Sequence, residues 1–201
     1  MHDLFDDLPT PDVAWFPDWL APATATSMLA RLIDEVAWRQ DTMGTPAGRI
    51  PLPRLTAWQG ELDAVYVYSG IRNVPDAWTA TVGELKDAAE AACGAHFNSV
   101  LLNRYRTGVD SMGWHADREP ELGNAPVIAS VSLGATRTFD LRHNRTGAVQ
   151  SFALKNGSLL VMRGSTQAEW RHRVPKEPRV QGERINLTFR YVMPRDADAR
   201  R

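Results

Sequence analysis

The amino-acid sequence predicts an α+β domain with a β core of the sandwich or jelly-roll kind. Three observations carry that expectation. From residue 99 onward, short alternating runs are separated by turn sequences such as HNRTGA and LKNGS, and many short strands broken by turn signals suit a sandwich or jelly roll. Two segments with helical spacing stand ahead of that region and can cover one face of a sheet. The 201 residues suit one domain with a full core, and no repeat, low-complexity tract or linker divides them.

Taken in order, the chain to about Pro22 is rich in Asp and Pro and reads as irregular. Thr24 or Thr26 can cap a helix running to Trp38, since Met28, Leu29, Leu32, Ile33 and Val36 recur at helical spacing. Residues 41–54 carry three prolines and two glycines and read as a long loop or loose hairpin. Residues 64–69 alternate like a strand. Residues 76–93 read as a second helix, with Trp78, Val82 and Leu85 on one face and Gly94 as its stop. Strands are expected at 99–106, 113–117, 127–133, 137–143, 148–154, 158–163 and 184–192. On this reading residues 1–201 form one domain, with helices over about 1–98 and the β core over about 99–193.

Composition excludes little. The hydrophobic and charged fractions, 43% and 23%, are ordinary for a globular protein. One cysteine, Cys93, permits no internal disulfide and fits a reducing cytoplasm. The acidic start MHDLFDDLPT is not a signal peptide, no apolar run is long enough to span a membrane, and without a heptad pattern a monomer is expected. The net charge of -1 conceals an asymmetry: residues 1–100 hold 6 Lys+Arg against 14 Asp+Glu, and the remainder hold 17 against 10. A basic half can present a face for a polyanion, and equally the two halves can pair with each other.

Chemistry enters at His115-Ala116-Asp117. In a strand, residues two apart share a side, so both can reach one metal ion, although a lone His-x-Asp is as well read as a surface turn. Among five histidines, His172 lies shortly before the last strand and can complete a set of two imidazoles and one carboxylate. Such a set binds one face of iron(II) and leaves other positions open. In the last strand, Arg184, Asn186, Thr188 and Arg190 fall on one face, and Ile185, Leu187 and Phe189 on the other. Two arginines on one face repel unless an anion lies between them, and arginine suits bidentate carboxylate binding. The alternative is an edge strand with solvated arginines. Asn103 and Tyr105 alternate likewise and can donate to the same anion.

Asn103-x-Tyr105, His115-x-Asp117, His172 and Arg184-x-Asn186-x-Thr188-x-Arg190, in this order, resemble the AlkB family of iron(II) and 2-oxoglutarate dioxygenases. The stretches PVIASVSLGATRTFDLRH and NGSLLVM are similar to it too, most of all to the branch of animal enzymes that repair methylated DNA. The resemblance runs from about Pro53 to Met193. It implies a double-stranded β-helix (jelly-roll) core with N-terminal helices and a nucleotide-recognition extension. It implies iron(II) on His115, Asp117 and His172, and 2-oxoglutarate on Asn103, Tyr105, Arg184 and Arg190, with Asn186 and Thr188 nearby. Arg184 would take the distal carboxylate and Arg190 would sit by the one next to iron. With O2 as second cosubstrate, the implied reaction is oxidative demethylation of 1-methyladenine and 3-methylcytosine.

A base acted on in this way must leave its stack. Tyr68 is the expected stacking partner, with Tyr66 and Trp58 as further candidates, although Trp58 is equally a core residue. Met43, Arg49 and Arg54 are candidates for wedge and phosphate contacts from the 41–54 segment. Arg118 stands where the animal repair enzymes place an acidic residue near the base, and counts as a substrate-side residue. Arg137, Arg142, Arg145, Arg171, Arg173, Lys176 and Arg179 are candidates for phosphate contacts. The expected partner is alkylated DNA, single-stranded DNA or RNA being alternatives. RNA, a protein or a small molecule as substrate, or a silent nucleic-acid-binding module, are the competing readings.

Overall fold

The computed structural model describes residues 9–45, 48–64, 66–68 and 71–193. Its elements are β1 (Val13–Phe16), α1 (Pro22–Glu35), β2 (Thr42–Thr45), β3 (Gly48–Pro51), β4 (Leu55–Gly60), β5 (Tyr66–Tyr68), β6 (Ile71–Asn73), α2 (Ala80–Cys93), β7 (Ser99–Tyr105), β8 (Met112–His115), β9 (Ile128–Gly134), β10 (Arg137–His143), β11 (Val149–Leu154), β12 (Ser158–Met162), α3 (Thr166–Glu169), β13 (Trp170–Val174) and β14 (Arg184–Arg190), with a short 3-10 turn at Pro120–Leu122. A six-stranded sheet has the order β1-β12-β9-β14-β7-β4, and a four-stranded sheet the order β11-β10-β13-β8. Two-stranded ribbons form from β2 with β3 and from β5 with β6.

The two sheets lie face to face over Tyr105, Ile128, Leu160 and Met162 from one and Phe139, Leu141, Phe152, Trp170 and Val174 from the other. The helices cover the outer face of the six-stranded sheet, where Leu32, Val82, Leu85 and Ala89 meet Val100, Val131, Ile185, Leu187 and Phe189. This is the expected jelly-roll arrangement, and no described helix is long and apolar enough to cross a membrane. The division near residue 98 does not separate extension from core, because β1 and β4 are strands of the larger sheet.

The helices start and stop for local reasons. Helix α1 begins at Pro22 rather than at a threonine cap, since a proline in the first turn needs no N–H partner and brings a helical φ. It ends at Glu35, short of Trp38, whose indole N–H instead donates to the Leu32 carbonyl. Glu35 then accepts from the Thr81 N–H and hydroxyl, placing a carboxylate at the N-terminus of α2. Helix α2 ends on Gly94, whose φ of 62° is the left-handed cap conformation.

Strands β1, β4, β6 and β13 were not among those expected from sequence. WRHRV of β13 holds two arginines and a histidine, and its pairing to β10 and β8 overrides its poor strand composition. Strand β14 is buried on both faces, and its neighbours β9 and β7 fix its register, with Arg184 opposite Gly134 and Tyr105, and Asn186 opposite Ser132 and Asn103. Its apolar side chains therefore meet the helices and its polar side chains meet the facing sheet.

Leu187 is fully buried in the layer between β14 and the helices. Leu187→Ala is expected to lower stability by about 3 kcal/mol through lost burial and the residual cavity, as measured by urea unfolding followed by far-UV circular dichroism.

Candidate active site

His115 ends β8, and His172 sits directly opposite it on β13. Their rings meet edge to face with centroids 4.2 Å apart. Asp117 lies just past the end of β8, not within a strand, and one ligand atom from each of the three residues falls within 4.8 Å of the others. The His115 Nδ1 faces the Gly113 carbonyl at 2.9 Å, so it carries the proton and leaves Nε2 as a lone-pair donor. His172 stacks on Phe139 and has a buried Nδ1 with no hydrogen-bond partner. Burial, with His115 next to it, pulls the His172 imidazole down to about 3, so it is neutral near pH 7. Burial pushes the Asp117 carboxyl up, but Arg190, His172 and His115 outweigh it and bring it down to about 2. The His115 Nε2, the neutral His172 imidazole and a carboxylate match an iron(II) site, and a buried nitrogen without a partner fits a group that accepts its lone pair.

Asp117 is held at its carboxylate and at its backbone. Arg190 donates from Nε and Nη2 to Asp117 Oδ2, at 3.1 and 2.7 Å, leaving Oδ1 outside that pair. The Asp117 N–H donates to Gln167 Oε1 at 3.0 Å, and Gln167 Nε2 points to the Met162 sulfur. Gln167 was not singled out in the sequence; a lone glutamine within a four-residue helix carries no local signal of this role. Arg190 thus commits two of its donor groups to Asp117 while still lining the cavity.

Asn186, Thr188 and Arg190 of β14 and Leu101, Asn103 and Tyr105 of β7 line the same cavity as His115, Asp117 and His172. Arg184 is 1% exposed; its Nη2 donates to Ser132 Oγ at 2.8 Å, while Nε and Nη1 have no partner. Its guanidinium lies 5.2 Å from the centre of the Tyr105 ring. Burial draws it down to about 10, which leaves it cationic near pH 7. A buried guanidinium with two idle donors calls for an anion, and a carboxylate fits. Asn186 donates to Ser130 Oγ and the Val131 carbonyl and accepts from Thr188 Oγ1. Asn103 accepts from Arg54 Nε at 2.7 Å, which leaves its amide N–H groups as donors. Ser130 lines the cavity and Ser132 holds Arg184, and alternation along β9 was the available signal for them.

A family model described as 2OG-Fe(II) oxygenase superfamily matches residues 12–190. This chain belongs to that superfamily. It is similar to the rat alpha-ketoglutarate-dependent dioxygenase alkB homolog 3, at 42% identity over 90% of this chain and 64% of the relative. The human protein of that name is also 42% identical, over 90% of this chain and 66% of its own length. The mouse DNA oxidative demethylase ALKBH2 is 39% identical over 71% of this chain and 63% of the relative. The chain thus spans just under two thirds of the length of these relatives. The solved structure of OsALKBH1 shares the fold, with a TM-score of 0.64 at 18% identity over 91% of this chain and 99% of that one. The match to a superfamily oxygenase model agrees with the anion wall and the His-Asp-His cluster standing in one cavity.

The residues expected on the substrate side divide. Met43 is exposed on the β2–β3 hairpin, with Ile50 opposite it, and Arg49 on the same hairpin bonds Thr42. The side chains of Tyr66 and Tyr68 lie outside the described residues. Trp58 is 7% exposed and packs with Ala64, Leu122 and Val192, so it is a core residue rather than a stacking platform. Arg54 is buried against Asn103 instead of reaching for phosphate. Arg118 turns to the carbonyls of Gln167 and Ala168. Arg137 is buried, at 1% exposure, and cannot meet phosphate. Arg145, Arg171, Lys176 and Arg179 are exposed, while Arg142 and Arg173 both approach the Trp114 ring, at 4.6 and 4.5 Å.

Gln167→Ala is expected to lower iron(II) affinity by roughly 10- to 100-fold, the usual effect of losing a group that orients a ligand. A competition titration with a chromogenic chelator measures it, and unchanged affinity would place Gln167 outside the site.

Proposed function

We propose that the chain is an iron(II)- and 2-oxoglutarate-dependent dioxygenase that demethylates bases in nucleic acid, with 1-methyladenine and 3-methylcytosine in DNA as its substrates. The observation that carries this reading is the common cavity of His115, Asp117 and His172 with an anion wall built by β14 and β7. The likeness to proteins named alkB homolog 3 and DNA oxidative demethylase supports the choice of substrate. The arginines on and beside the outer face of the four-stranded sheet, Arg142, Arg145 and Arg171, have no carboxylate partner among the described residues, which suits a polyanion.

His115, Asp117 and His172 would hold the iron, and Arg184 the distal carboxylate of 2-oxoglutarate, with Tyr105 and Asn103 as further donors. When bound, iron and 2-oxoglutarate supply the oxidation of an N-methyl group by O2, coupled to release of succinate and CO2. The N-hydroxymethyl product then sheds formaldehyde and restores the base. The protein contributes position. Arg190 keeps Asp117 ionised and fixes which oxygen is free, Gln167 holds its backbone, and the Gly113 carbonyl fixes the His115 tautomer. The apolar side chains of Leu101, Met112, Phe139 and Val174 line the cavity and limit water around it.

The test is mass spectrometry of a single-stranded oligonucleotide carrying one 1-methyladenine, incubated with protein, iron(II), ascorbate, O2 and 2-oxoglutarate. A loss of one CH2 that requires 2-oxoglutarate and vanishes in His115→Ala is the expected result. Succinate formation without that loss would refute the substrate and keep the oxygenase. Absence of both, with iron bound, would favour a silent binding module.

A further inference from the structure

Arg137, at the start of β10, is as deeply buried as Arg184. Its Nε pairs with Glu177 Oε2 at 2.8 Å, and its Nη groups donate to the carbonyls of Thr107, Gly108, Asp110 and Pro175. It therefore joins the segment that leaves β7 to the segment that leads into β14. Those segments touch at Gly108, where a Cβ would overlap the Glu177 carbonyl, and Glu177 N–H donates to Gly108 O at 2.7 Å. They carry Tyr105 at one end and Arg184 at the other.

The Arg137 guanidinium lies 5.5 Å from the centre of the Tyr105 ring, and that of Arg184 lies 5.2 Å from the same point. Two buried guanidinium groups thus share one aromatic ring. One is saturated with acceptors and paired with a carboxylate, whereas the other has two idle donors. We propose that Arg137 and Glu177 form a tuning pair for the anion pocket, Arg137 adding positive potential behind Tyr105 and Arg184 and Glu177 offsetting it. The inference rests on the 2-oxoglutarate reading above and gives the residues that set cosubstrate affinity without touching the cosubstrate. The electrostatics of Arg184 agree: burial lowers its pKa most, Tyr105 opposes, Arg137 lowers it further and Glu177 opposes. Glu177 also accepts from the Thr138 N–H and hydroxyl, so its position is fixed independently of Arg137.

A purely structural staple and a tuning pair predict opposite outcomes for Glu177→Gln. The amide keeps the shape and removes the negative charge. The measurement is calorimetric binding of 2-oxoglutarate to the full chain loaded with manganese(II), which prevents turnover, beside a thermal melt of each variant. Glu177→Gln is expected to melt lower yet bind 2-oxoglutarate about tenfold tighter, the size of one charge acting over roughly 10 Å at an effective dielectric of about 20. Arg137→Gln is expected to bind about tenfold weaker. The double variant should return toward the original affinity, as interacting charges require. If Arg137→Gln does not fold, Glu177→Gln decides alone. Folded Glu177→Gln with unchanged or weaker binding overturns the tuning pair. A wild-type protein that binds manganese(II) but no 2-oxoglutarate overturns the oxygenase reading itself, and this inference with it.

Discussion

Asp117 and Arg190 form an ion pair in which both side chains are more than nine-tenths buried, and much of the structure answers to that fact. Removing two charges from water is costly, and the cost is offset only where geometry and further hydrogen bonds are good. Here the pair bridges the two sheets: Arg190 ends β14 in the larger one, and Asp117 follows β8 at the edge of the smaller one. Strand β14 must then turn its polar side chains inward, and it does so because Ile185, Leu187 and Phe189 are claimed by the helices on its other face. Apolar packing on one side of a strand thus fixes the chemistry on the other.

The same logic explains what the sequence made legible. Alternation along RINLTFR sorted Arg184, Asn186, Thr188 and Arg190 onto one face, and the structure places them there. A period of two survives any tertiary context that buries both faces. His115 and His172 could be listed as a set because histidines are few, but their direct opposition across β8 and β13 depended on a strand that sequence did not reveal. In WRHRV, charge hides the strand, because pairing and a buried alternate face, rather than propensity, hold it in place.

Arginines were the least legible residues. Arg54, Arg118 and Arg137 were expected to face nucleic acid and all three turn to internal acceptors. A guanidinium has five donors in a fixed fork, so it serves equally as a phosphate contact or as a staple for loop carbonyls. Nothing local in a sequence separates those uses. The separation comes from neighbours distant in the chain, as Glu177 is from Arg137, or Asn103 from Arg54.

The cavity lies at a joint between two independently hydrogen-bonded sheets. Its metal-side residues belong to the four-stranded sheet and the turn after it, and its anion-side residues to the six-stranded one. Their spacing is therefore set by the thickness of the apolar layer around Ile128, Phe139, Leu160 and Trp170, not by the backbone of either sheet. For protein engineering this makes the interior layer a dial on function. Enlarging or thinning side chains in that layer would change the distance between the His-Asp-His cluster and Arg184. Variants selected only for heat resistance would then drift in that distance.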